Sequence, residues 1–117
     1  MIIIKGGTLV CPDGLRVGDV ALEGDKIVRI AASIEAGDGD EVADATGCWV
    51  FPGFIDAHTH MQCWTGIDWT ADSFETGTRA AACGGTTTIV DYATADRGVT
   101  MPDALAEWHK RADGTCT

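Results

Sequence analysis

Phe51-Pro52-Gly53-Phe54-Ile55-Asp56-Ala57-His58-Thr59-His60 is the stretch on which the reading of this chain turns. A Pro-Gly break opens it, and the residues after the break read as a strand ending in a metal site. Side chains alternate faces along a strand, so Asp56, His58 and His60 share one face while Ile55, Ala57 and Thr59 take the other. Neighbours on one face stand roughly 6.5–7 Å apart, two residues at about 3.3 Å rise. Two imidazoles at that spacing can converge on one ion, with Zn–N distances of about 2.0–2.1 Å. His58 and His60 are therefore candidate metal ligands, and a hydrogen-bonded pair of core histidines is the alternative. Asp56 lies deeper on the same face, which suits orienting the site by hydrogen bonding more than binding the ion itself. The opposite face is small and apolar, as packing against helices requires.

The bulk of the chain narrows the class. Its 117 residues suffice for one domain that buries about two-thirds of its unfolded surface. Eighteen acidic residues against eight basic give a formal net charge of −10. Nucleic acid and anionic membrane both reward a cationic surface, so neither is an expected partner. No apolar run approaches the ~18 residues of a spanning helix. The N-terminus has no basic region and no signal-length apolar core. The expected location is cytoplasmic. Five cysteines, odd in number and without a Cys-x-x-Cys pair, fit reduced thiols better than a disulfide framework or a zinc knuckle.

Residues 2–51 read as short strands between Gly/Asp turns. Residues 2–4 and 8–10 flank Gly6-Gly7, and Pro12-Asp13-Gly14 is a turn signal. Residues 17–23 and 26–30 form a hairpin about Gly24-Asp25. Residues 36–41 are an acidic surface loop, and residues 42–45 and 48–51 are two further short strands. From Pro52 onward the pattern becomes strand, loop, helix, strand, loop, helix. Residues 61–69 form a loop of high apolar content (Met61, Trp64, Ile67, Trp69) that needs something to cover it. Residues 70–83 are expected to be helical, with Asp72 as cap, Glu75 completing a box-like pair, and Phe74, Thr78, Ala81 and Ala82 on one side. Gly84-Gly85 stops that helix. Residues 86–92 have the composition of a strand buried on both faces of a parallel sheet. A second helix starts at Thr100 with Pro102 in its first turn, carries a stripe of Leu105, Trp108 and Ala112, and ends at Gly114. Two strand–helix units begin a parallel α/β fold, and a (β/α)8 barrel fits best because its sites lie at the C-terminal ends of strands, where His58 and His60 fall.

Pro52-Gly53-Phe54-Ile55-Asp56-Ala57-His58-Thr59-His60, together with Phe74-Glu75-Thr76-Gly77-Thr78-Arg79-Ala80-Ala81-Ala82-Cys83-Gly84-Gly85-Thr86-Thr87-Thr88-Ile89-Val90-Asp91, resembles the amidohydrolase superfamily. Within it the dihydropyrimidinase/hydantoinase branch of cyclic amidases is the closest likeness, and the run ending Asp96-Arg97-Gly98 favours that branch. The likeness extends from Ile2 to about Gly114, so the chain resembles the opening quarter of a longer enzyme. The expected fold is mixed β and α/β. Residues 1–51 would be the N-terminal part of a small β-sandwich domain, or else an independent small β domain. Residues 52–117 would be the first two strand–helix units of a TIM barrel.

The resemblance implies a hydrolase that opens the ring amide of dihydropyrimidines or hydantoins with a binuclear zinc site. His58 and His60 would bind the more buried ion. A carboxylated lysine, two further histidines and a catalytic aspartate would complete the site, and none of these falls within the 117 residues; His109 and Lys110 stand in no matching motif. No catalytic residue is therefore expected in this chain, and at most weak, partial zinc binding. Met61, Cys63, Trp64 and Asp91 are candidates for the substrate-pocket loop. The alternatives are that this loop packs against further barrel or a neighbouring subunit, that Cys63 is a plain loop thiol, and that Asp91 anchors a loop. The complete enzyme would act on a small cyclic amide and assemble as a homo-oligomer, a tetramer. Allantoinase or dihydroorotase is the runner-up within the class. A non-catalytic barrel fragment or interaction protein is the alternative outside it.

Overall fold

A computed structural model describes all 117 residues. The chain divides into two compact units, Met1–Pro52 and Gly53–Thr117.

The first unit is a five-stranded sheet. Strands β1 (Ile2–Cys11), β2 (Gly14–Glu23) and β3 (Lys26–Ala31) form an antiparallel meander, while β4 (Glu41–Asp44) and β5 (Trp49–Val50) pair in parallel with β1. The two runs expected on either side of Gly6-Gly7 are one strand. The register against β2 shifts between Ile4 and Gly7, and Gly6 takes the bulge at φ +70°, a conformation open to glycine. Ile3, Ala21 and Ile34 form the core, with Ala31 packed against it.

A buried carboxylate ties this unit together. Asp19, 3% exposed, accepts from the backbone N–H groups of Gly6 and Ile34, each at 2.8 Å. Lys5 Nζ donates to the Ile34 carbonyl at 2.8 Å and stands 3.7 Å from Asp19. The Gly6 amide first, then that of Ile34, holds the Asp19 carboxyl below its ordinary pKa, and Lys5 adds to the effect. Asp40, bonded to the N-terminal amine, and Asp44, bonded to Thr46, are lowered too. A depressed native pKa adds stability that is complete above the unfolded value of about 3.9 and is lost as pH falls through the native values. Amide exchange in β1 is therefore expected to stay slow from pH 7 to about 4 and to lose protection below that. Asp19→Asn should weaken protection at neutral pH and flatten the acid dependence; an unchanged profile would contradict the assignment.

The second unit begins with β6 (Phe54–Thr59), passes through a loop into α1 (Phe74–Cys83), returns as β7 (Thr86–Asp91) parallel to β6, and ends with α2 (Met101–Ala112). The parallel pair joined by a crossover helix is a βαβ unit. Its core is Cys63, Phe74 and Trp108, with Met61, Ala93 and Ala112 against it.

Several expectations need correction. α1 starts at Phe74, not at residue 70. Ser73 is the N-cap, and a reciprocal box with Thr76 replaces the expected Asp72–Glu75 pair. The residues before it are committed to closing the loop: Gln62 N donates to Asp72 O, Thr70 N to Cys63 O, and Cys63 N to Thr70 Oγ1, all at 2.9 Å. Ala82 is exposed, and Gly77 joins Phe74 and Thr78 on the buried side. β7 is not buried on both faces, because β6 is its only strand partner and none of its six residues is buried, Thr87, Thr88 and Val90 being exposed. In α2, capped by Thr100, Ala104 and Trp108 face inward while Leu105 is 52% exposed.

Gly53 allows β6 and β7 to meet. A Cβ there would collide with Thr87 Oγ1 and Cγ2 and would fall 2.7 Å from Thr87 Cβ. Rotating the threonine leaves a heavy atom in at least one of the two crowded γ positions and does not move its Cβ, so the strands must separate. Gly53→Ala is expected to cost about 1–3 kcal/mol by overpacking, read as a fall in the urea midpoint of the second unit. Wild-type stability would show that the strands slide apart freely.

Candidate metal centre

The C-terminal end of β6 carries the candidate site. Its strand geometry places alternate side chains together, and His58 and His60 do lie on one side. Their Nε2 atoms stand 3.0 Å apart, with ring centres 4.9 Å apart and the planes at 60°. Both histidines are exposed. Two nitrogens about 2.05 Å from one ion at a tetrahedral angle would be about 3.3 Å apart, so a small rotation of one ring suffices. Without an ion, the same approach accommodates one N–H···N hydrogen bond, provided the rings hold different tautomers. Imidazole nitrogen suits zinc, so the pair fits the metal, as two donors of a larger set. No third His, Cys, Asp or Glu joins them.

The neighbours fix this pair. Asp56 Oδ1 accepts from the backbone N–H of His58 at 3.2 Å, so it steadies the peptide carrying the ligand and leaves the ring alone. Tyr92, not singled out from the sequence, stacks on His58 with ring centres 4.4 Å apart and planes at 30°, and lies 5.9 Å from His60. The strand register could have revealed it: Asp91 pairs with Thr59, which sets the next residue level with His60.

Asp91 anchors the loop. Its Oδ2 accepts from Thr59 Oγ1 at 2.9 Å and from the Met61 amide at 2.8 Å, and its Oδ1 accepts from Trp108 Nε1 at 2.7 Å. These three donors come from β6, the loop and α2, leaving the carboxylate committed to structure. Met61 and Cys63 are likewise committed to packing: Met61 lies against the core that contains Cys63, which is 6% exposed. Of the expected pocket-loop residues, Trp64 is the one that stays open, at 50%. A cleft of about 300 Å³ runs between Trp64 and Trp69 of the loop and Glu107, Trp108 and Arg111 of α2. His109 pairs with Asp113 at 3.0 Å on the outer face of α2. All five cysteines are unpaired.

Residues 49–110, more than half of the chain, match the model of the Amidohydrolase family. This chain belongs to the amidohydrolase family. It is 45% identical over 113 residues to a D-hydantoinase of Ralstonia pickettii, covering 97% of this amidohydrolase chain and 24% of that relative. Among solved structures, a D-hydantoinase (dihydropyrimidinase) from Thermus sp. matches with a TM-score of 0.89 at 38% identity, over 97% of this chain and 25% of that one. A D-hydantoinase from Bacillus sp. AR9 matches with a TM-score of 0.89 at 46% identity, over 99% and 25%. The chain thus spans about a quarter of the length of these relatives and shares the mixed, β-rich fold of their N-terminal region. The likeness read from residues 52–60 and 74–91 holds at the level of both family and hydantoinase branch. Enzymes of the amidohydrolase family are generally metal-dependent. No helix of this chain is long and apolar enough to cross a membrane.

Proposed function

We propose that these 117 residues form the N-terminal part of a zinc-dependent cyclic amidase that opens the ring amide of hydantoins or dihydropyrimidines. The observation that carries this reading is the convergence of His58 and His60 through Nε2 at the C-terminal end of a parallel strand, in a chain 45% identical to a D-hydantoinase. On this reading the first unit is the start of a β-sandwich domain, and the second is the first two strand–helix units of a (β/α)8 barrel, whose sites lie at that end.

His58 and His60 would hold zinc, which supplies Lewis acidity and lowers the pKa of water to near neutrality. The chain's own residues prepare that pair. Asp56 fixes the His58 backbone, and Tyr92 backs the His58 ring. Asp91 pins the peptide that leaves His60. A catalytic zinc normally has three protein ligands and an open position, so two histidines are about half of one donor set. The remaining ligands and the proton-transferring group belong to other residues of the complete enzyme. That enzyme is proposed to be a cytoplasmic homotetramer acting on a small cyclic amide, without nucleic acid or membrane as partner.

The 117-residue chain alone is expected to bind zinc weakly and to leave dihydrouracil and hydantoin intact, as read by ring-opening assays across a zinc titration. Robust turnover by this chain would overturn the proposed division of the site.

A further inference from the structure

Arg111, in the last turn of α2, grips both ends of the loop that follows His60. Its guanidinium carbon lies 5.0 Å from the Trp108 ring centre and 5.4 Å from that of Trp69. At the loop's entry, Nη1 donates to the Gln62 carbonyl at 3.1 Å. Glu107, one helical turn back, accepts from Nε and Nη2 at 3.4 Å and so restrains rotation of the group. The Arg111 side chain is only 22% exposed. Within the loop, Trp64 and Trp69 pair as an antiparallel bridge and meet edge to face at 5.9 Å. Thr65 closes the turn between them, its amide donating to Asp68 O at 2.9 Å.

We propose that Arg111 is a positioning residue that locks residues 62–69 into one conformation beside the histidine pair. A planar guanidinium can stack on aromatic faces while directing N–H groups in its plane to a carbonyl, which the point charge of lysine cannot do. The Trp108 end of the clamp is itself fixed, because that indole donates to Asp91. The clamp therefore connects the loop to the carboxylate that holds the end of β6. That the loop borders bound substrate rests on the function proposed above. That Arg111 fixes its conformation does not.

Backbone ¹⁵N relaxation on the full 117-residue chain tests this. Residues 64–69 should give order parameters near 0.85 in the parent chain and below about 0.6 in Arg111→Met, with α1 and β6 unchanged. Arg111→Lys should recover less than half of the loss. Trp69→Leu, which leaves the helix intact, should reproduce the Arg111→Met pattern. A loop that stays rigid in Arg111→Met overturns the proposal, as does a loss of order shared equally by α1. No turnover enters the measurement, so failure of the cyclic-amidase reading leaves its outcome standing, and a rigid loop in Arg111→Met leaves that reading untouched.

Discussion

Replacing either His58 or His60 with alanine is expected to weaken zinc binding to this chain at least tenfold, about 1.4 kcal/mol at 25 °C. The two Nε2 atoms, 3.0 Å apart, are the donors that the fold brings together. Removing one leaves a single exposed imidazole, which competes poorly with water. The measurement is competition against a chromophoric chelator under reducing conditions. Cys63→Ser and His109→Ala serve as controls and should bind as the parent does: Cys63 is packed in the core, and His109 faces Asp113 on the outside of α2. If the histidine variants bound as tightly as the parent and a cysteine variant did not, the metal would be on thiolate.

Asp91→Asn is expected to destabilise the second unit by about 2–4 kcal/mol, since hydrogen bonds to a charged group contribute about 1.5–3 kcal/mol and a stranded buried donor adds a penalty. The carboxylate accepts three hydrogen bonds, from Thr59, Met61 and Trp108. An amide has one oxygen, and its NH2 would meet an N–H or O–H at the other position. Thr59→Ala removes one of these bonds and should cost about 1 kcal/mol. Urea unfolding followed by tryptophan fluorescence separates the two cases. Equal losses in the two variants would mean that the carboxylate matters only through Thr59.

Local pattern made much of this molecule legible. Alternation along residues 54–60 placed the histidines on one side, and Gly24-Asp25 located the β2–β3 hairpin. Thr100 and Pro102 located the start of α2. What failed depended on partners distant in sequence. Asp72 and Ser73 are both good caps at adjacent positions; the choice fell to Ser73 because the backbone around residues 62 and 70–72 was already engaged in closing the loop. β-branched residues in β7 suggested burial, but burial depends on what lies across the sheet, and only β6 pairs with it. Leu105 fits an apolar stripe by spacing, yet the inward direction of α2 is set by Trp108 reaching Asp91. Cys63 is a pocket-loop candidate by resemblance alone, whereas the loop turns it into the core beside Phe74. Tyr92 and Arg111 act on elements 34 and 42 residues away by sequence, counted from His58 and Trp69 to each, and no local rule connects them.

Long-range ¹H–¹⁵N correlation NMR of the two imidazoles, recorded before and after adding zinc, reads the shared coordination at His58 and His60 directly. On zinc addition, both rings should carry their proton on Nδ1, and both Nε2 resonances should move together to metal-bound positions. If zinc leaves either Nε2 unmoved, the two rings do not hold one ion and this end of β6 is not a metal centre.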